Sequence, residues 1–211
     1  LEVSLGVVGV CHSYPDHIPG WLQSVRNLNR KPDEIVLVLF HEIDVTQYNL
    51  QGVKVIKWYK DFEYSNMMNL AFEACNTDWI AWIGIDDRYR PHALDKIDAC
   101  QADVLALGFQ YDTGQIWTPT ATNAEQILAL HANMIPCGSP VRRWLWEKQP
   151  FEQRIAPFDD WCFWVGTAVN DATYDATLDI DVDYEYAGHW VPNDAEARAT
   201  VTQYKIDKLG L

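Results

Sequence analysis

Basic residues are scarce: 16 Lys and Arg stand against 30 Asp and Glu, a formal net charge of −14 over 211 residues. A surface this acidic repels phosphate backbones and anionic membranes, which disfavours nucleic acid as the main partner. No apolar run approaches the roughly 20 residues of a membrane-spanning helix. The five cysteines are odd in number and scattered, so they do not read as a disulfide framework. They fit a reducing compartment, and a cytoplasmic location is expected. The sequence also lacks internal repeats and low-complexity linkers. After the first apolar run, Val10–Asp16 contains no Lys, no Arg and no glycine run. That disfavours a sugar nucleotidyltransferase, which needs a glycine-rich, basic loop to cradle phosphates.

What is present is ordinary globular composition, 48% hydrophobic and 22% charged, with a length that suits one domain over 1–211. Ten tryptophans and ten tyrosines exceed what a core needs. Some are expected to line a concave surface and the rest to fill the core and its rim.

The first half alternates short apolar runs with amphipathic stretches. Strands are predicted at Val3–Val10, Glu34–Phe40, Val53–Trp58 and Trp79–Ile85. Glu34–Phe40 is nearly all apolar and β-branched, as in a strand buried on both faces. Between them, Pro19–Leu28 has Leu22, Val25 and Leu28 at helical spacing. Ser65 is a candidate cap for a helix with Met68, Ala71, Phe72 and Cys75 on one face. Pro91 suits the first turn of another helix. Such repeated β-α-β units predict a mostly parallel central sheet flanked by helices, an α/β fold. The second half is less regular. Strands are expected at Asp103–Tyr111, Gln115–Trp117, Tyr174–Leu178 and Asp183–Tyr186. Helices are expected from a Thr122/Glu125 capping box to about His131, over Trp144–Lys148 and Phe158–Ala168, and in the polar tail from Asp194 to Lys208.

Three places carry candidate chemistry. Asp86 and Asp87 follow a buried strand, at the end where open α/β sheets bind ligands. Paired carboxylates suit Mg²⁺ or Mn²⁺, although either could instead cap a helix at Pro91. Asp159 and Asp160 fall in the first turn of a helix whose apolar face holds Trp161, Trp164, Val165 and Ala168. Capping and proton abstraction are equally good readings of them. His189 follows a strand and Gly188, as a metal ligand or as an ordinary loop histidine.

In order, these pieces resemble the GT-A glycosyltransferases of the family-two type, from about Val3 to Trp190. Ser13–Tyr14–Pro15 stands where that family has a Thr-Tyr-Asn-like turn. Pro32–Val38 matches its Pro-x-Glu-Ile-Ile-Val-Val strand, and Ser65–Ala71 its Ser-x-x-Arg-Asn-x-Gly helix start. Gly84–Asp87 with Pro91 resembles its Asp-x-Asp-Asp metal motif. Gly138–Ser139, Arg143 and Trp146 resemble a Gly-Ser-x-x-x-Arg-x-x-Trp stretch, and Asp159–Trp164 a Glu-Asp-Trp-Asp-x-Trp helix. Tyr184, Tyr186 and His189 resemble a terminal Tyr-x-Tyr-x-x-His. The departures are Gly84 for the first metal-motif Asp, Leu39–Phe40 for an acidic pair, and Met68 for the helix arginine. All three fall in the donor half.

The resemblance implies a 1–100 half that binds a nucleotide-sugar, UDP- or GDP-linked, and a smaller 101–190 acceptor half, followed by the 191–211 tail. Asp87, Asp86 and His189 would hold Mn²⁺ or Mg²⁺. Ser13, Tyr14, Glu42, Asn69 and Asp86 would contact the donor. Asp160 would be the general base of an inverting transfer to a glycan, protein or small-molecule hydroxyl. Trp161, Trp144, Trp146 and Asp159 would contact that acceptor. The donor-side departures leave open a domain that binds a nucleotide or glycan without turnover.

Overall fold

The computed structural model describes residues 3–120, 123–129, 133, 135–152, 159–185 and 194–210. Its strands are β1 (Leu5–Cys11), β2 (Glu34–Phe40), β3 (Lys54–Trp58), β4 (Trp79–Trp82), β5 (Arg88–Tyr89), β6 (Val104–Tyr111), β7 (Ile116–Trp117), β8 (Val141–Arg142) and β9 (Tyr174–Tyr184). The helices are α1 (Ile18–Asn27), α2 (Tyr64–Glu73), α3 (Ala124–Ala129), α4 (Arg143–Lys148), α5 (Asp159–Val169) and α6 (Asp194–Leu209). All nine strands join one sheet in the order β3-β2-β1-β4-β8-β6-β9-β5, with β7 beside β6. The long pairings, β1 with β2 and β4, β2 with β3, and β6 with β9, are parallel. The antiparallel ones span only one or two residues.

Alternate residues along the central strands feed two apolar layers. Val8, Val10, Val36, Val38, Ile80 and Trp82 pack with Met67 and Phe72 of α2 and Phe163 and Trp164 of α5. Leu5, Val7, Leu37, Leu39 and Trp79 pack with Ile18, Trp21, Leu22 and Val25 of α1. Both faces are therefore covered, which is why these strands read as continuous apolar runs. β1 and α1 approach closely at Gly9, where a Cβ would stand 2.6 Å from the Trp21 ring.

Several boundaries differ from the sequence reading. Ser65 lies inside α2, whose N-cap is Glu63; its hydroxyl donates to the carbonyl of Glu152 at 3.0 Å. No α-helix follows Pro91. Residues 91–99 form successive turns closed by bonds such as Ala93 N–H to Arg90 O and Ile97 N–H to Leu94 O. Ala93, Leu94 and Ile97 still bury one face, which is the pattern that imitated a helix. The two late strands are one, β9, and the register shifts of its pairing with β6 near Gly108 break the alternation that marks a strand. At α3, Asn123 accepts the amide of Gln126; Thr122 and His131 lie outside the described residues. Among the described residues no helix is long and apolar enough to cross a membrane.

Candidate active site

Because β1 and β4 run parallel, the residues that follow Cys11 and Trp82 emerge at the same end of the sheet. His12, Ser13 and Tyr14 come from the first, and Gly84 through Asp87 from the second.

The second segment is a tight turn: the Asp87 amide donates to Gly84 O at 3.1 Å. The Arg88 guanidinium locks it by donating to Ile85 O (2.9 Å) and Asp87 O (2.7 Å). Both carboxylates lean over Gly84, and a Cβ there would lie 2.7 Å from an oxygen of Asp86 and 2.7 Å from one of Asp87. Asp87 is 3% exposed, and its Oδ1 accepts the Glu185 amide at 3.0 Å. Burial, then the charge of Asp86, push its carboxyl well above the usual carboxylate range. Two acids converging in a buried place repel each other, and a divalent cation relieves that repulsion. The pair therefore fits Mg²⁺ or Mn²⁺, which take one or two carboxylates and fill the remaining positions with phosphate oxygens and water. His189 lies outside the described residues. Among the described residues no group of three His, Cys, Asp or Glu is arranged to hold a metal.

Gly84→Ala tests this convergence. The new methyl must push both carboxylate ends aside, so Mn²⁺ affinity is expected to fall about tenfold or more while the melting temperature changes little. Isothermal titration of Mn²⁺ reads the first, and circular dichroism the second.

Asp160 opens α5. Its Oδ2 accepts the side-chain amide of Asn133 and its Oδ1 the Trp161 backbone amide, both at 2.7 Å. A helix N-terminus favours the ionised form. Burial outweighs that here and raises the carboxyl to about 6. Asp159 is 5% exposed, and its Oδ1 has no hydrogen-bond partner among the described residues. Burial raises it too, opposed by the nearby Ser65 hydroxyl.

Two cavities of about 350 Å³ each meet at this end of the sheet. One is walled by His12, Ser13, Tyr14, Tyr64, Gly84 and Asp86. The other is walled by His12, Phe62, Tyr64, Cys137, Asp159, Asp160 and Tyr184. His12 and Tyr64 belong to both, so Asp86 and Asp160 open onto one cleft, with Asp87 buried beside Asp86. The His12 ring stacks on Phe62 with centroids 4.4 Å apart. Burial holds its imidazole below the ordinary value, opposed by the charge of Asp86. The Cys137 thiol is pushed well up by burial and by Asp87, and stays protonated. A third cavity, of about 400 Å³, lies on the other side of Asp86 and shares Tyr184.

Other residues singled out from the sequence lie elsewhere. Asn69 is spent on structure: its amide holds both the N–H and the C=O of Phe151, and its oxygen also accepts the Trp146 indole. Trp146 itself packs on Phe72, with centroids 5.8 Å apart. Trp161 is buried with Val165, Val201 and Tyr204 between α5 and α6. Glu42 is exposed beyond β2, 3.9 Å from His41. Trp144 stands beside Asp78 at the opposite end of the sheet. Sequence reasoning passed over His12, Phe62, Tyr64 and Cys137. His12 had a usable signal, since it directly follows a buried strand at its carboxyl end.

No family model and no curated protein matches the sequence. Solved structures do match in fold. Staphylococcus aureus TarS 1–349 in complex with UDP-GlcNAc superposes with a TM-score of 0.74 at 15% identity, over 98% of this chain and 66% of that one. Another crystal structure of TarS 1–349 gives 0.71 at 14%, over 97% of this chain and 72% of that one. The mannosyltransferase PcManGT from Pyrobaculum calidifontis, in complex with GDP-Man and Mn²⁺, gives 0.65 at 10%, over 100% of this chain and 64% of that one. The chain thus spans about two thirds of the length of the structures it matches. Its fold is the GT-A glycosyltransferase fold.

Proposed function

We propose that the chain is a metal-dependent glycosyltransferase that moves a sugar from a nucleoside-diphosphate-sugar to an acceptor hydroxyl with inversion. The observation that carries this is the shared cleft: Asp86 and Asp160 wall adjoining cavities that have His12 and Tyr64 in common. UDP- or GDP-linked donors are the first candidates, because structures of this fold hold UDP-GlcNAc and GDP-Man.

In this reading Asp86 and Asp87 hold Mn²⁺ or Mg²⁺, with His189 as a further ligand. An ion held there would supply the positive charge this acidic protein lacks as the nucleoside diphosphate departs. Ser13, Tyr14 and the flat face of His12 wall the nucleotide's side of the cleft. Tyr64 and Cys137 close the sugar's side against water. Asp160 takes the proton of the acceptor hydroxyl as its oxygen attacks the anomeric carbon from the face opposite the leaving diphosphate, which inverts the configuration. A carboxylate raised to about 6 is a stronger base than an ordinary one, yet mostly ionised near pH 7. Asp159 contributes its unpartnered oxygen to the acceptor's hydroxyls.

A thermal-shift screen of UDP- and GDP-sugars with Mn²⁺ tests the reading. Expected is stabilisation by at least one donor, larger than by its free sugar, that Asp87→Asn weakens. No stabilisation by any donor would contradict it. Binding without any release of nucleoside diphosphate would leave a nucleotide-sugar binder in its place.

A further inference from the structure

We propose that the cavity around Trp144 is a second saccharide-binding site, for a neutral stretch of glycan, at the end of the sheet opposite the cleft. It stands whether or not the cleft transfers sugar. The cavity holds about 410 Å³ and is walled by Thr77, Asp78, Arg142, Arg143, Trp144 and Glu147. That volume lies in the usual range for small-ligand sites. Asp78 directly precedes β4, whereas Asp86 and Asp87 follow it, so the two places are separated by the length of the sheet.

Among the described tryptophans Trp144 alone is exposed, at 37%, while Trp21, Trp79, Trp82 and Trp164 are fully buried. Its ring is nonetheless held in place. The indole N–H donates to Asp103 Oδ1 at 3.3 Å, and Lys148 Nζ lies 4.8 Å over the ring. Lys148 is not part of the cavity wall, whereas Trp144 is. An aromatic surface fixed in this way suits the C–H face of a pyranose, at little entropic cost on binding.

Around that surface stand groups that can bond hydroxyls. The Arg142 guanidinium carbon lies 4.3 Å from the centre of the Trp79 ring, and the guanidinium makes no hydrogen bond among the described residues. Glu147 and Asp78 are acceptors only partly used, by Arg143 Nε (2.9 Å) and by Ser4. Two cations and two anions in one wall cancel, so a phosphate or polyanion gains nothing there. A neutral polyol, with donors and acceptors at every carbon, can use both kinds of group.

The test is an NMR titration of the whole protein, without donor, following the Trp144 indole N–H. Chitotetraose, mannotetraose and maltotetraose are the probes, at millimolar concentrations, with dextran sulfate as the anionic control. Expected is a saturable shift with at least one neutral tetrasaccharide. Arg142→Ala should weaken it about tenfold; read from the backbone amides of Thr77 and Glu147 in the cavity wall, Trp144→Phe should retain part of the binding that Trp144→Ala loses. No saturable shift with any of the three would overturn the site. A response to dextran sulfate alone would also overturn it, and would mark an anion site.

Discussion

Asp160→Asn is expected to slow sugar transfer by about 10²–10⁴-fold while leaving donor binding intact. The amide keeps the shape and can still accept the Trp161 amide, but it cannot take the acceptor's proton. The same variant should be more stable than the parent at neutral pH. With its folded value raised to about 6 from the ordinary 3.8, Asp160 binds a proton more tightly folded than unfolded. Its ionisation therefore costs stability, fully above pH 6 and not at all below 3.8. That difference corresponds to about 3 kcal/mol at most. Losing part of the contact to Asn133 reduces the net gain to about 1–2 kcal/mol. Urea unfolding should show the gain near pH 7.5, and show it vanishing at about pH 4. Transfer by the parent should rise with pH through an apparent value near 6. A pH-independent stability difference would mean that Asp160 titrates normally.

Chelation is the second large effect. Nucleoside diphosphate binding should weaken about 10²–10³-fold in EDTA and return with Mn²⁺ or Mg²⁺. The protein carries a net charge of −14, and the donor's diphosphate must approach two carboxylates that already crowd over Gly84. Unit charges about 4 Å apart at an effective dielectric near 20 interact by about 4 kcal/mol, enough for such a factor. Arg88 is a weak substitute for the ion, because its Nη1 and Nη2 already donate to the carbonyls of Ile85, Asp87 and His17. Titration calorimetry of UDP and GDP, with and without chelator, reads this directly. Equal affinity in both would assign phosphate binding to backbone amides.

Much of the fold was legible because two-sided burial writes itself into β1, β2 and β4 as apolar runs. α1, α2 and α5 were visible within a few residues from apolar spacing, and α6 was expected in the polar tail. What misled was pattern without hydrogen bonding. Residues 91–99 bury a helix-like face but bond at i→i+3, and β9 is interrupted by shifts in its register with β6. In the candidate site, strand-end position put Asp86 and Asp87 at the ligand-binding end of the sheet and helix position put Asp159 and Asp160 in a first turn, since both follow from local chain geometry, whereas the choice of Asp160 as base came from the family resemblance. Tertiary position did not follow. Nothing in the sequence near Asn69 or Trp146 tells that they bond each other and Phe151, or that Trp144 faces away from the cleft. His12, Tyr64 and Cys137 meet from three separate segments, and only folding brings them to one wall.

The central claim is that the acid pair and Asp160 act on one nucleotide-sugar in one cleft. A crystal structure with Mn²⁺ and a stabilising donor, with manganese located by its anomalous signal, tests it most directly. The account predicts a manganese peak within bonding distance of Asp86 or Asp87 and of the diphosphate, with the sugar in the cavity walled by His12, Tyr64 and Asp160. A manganese peak away from both carboxylates, or a donor bound outside that cleft, would contradict it.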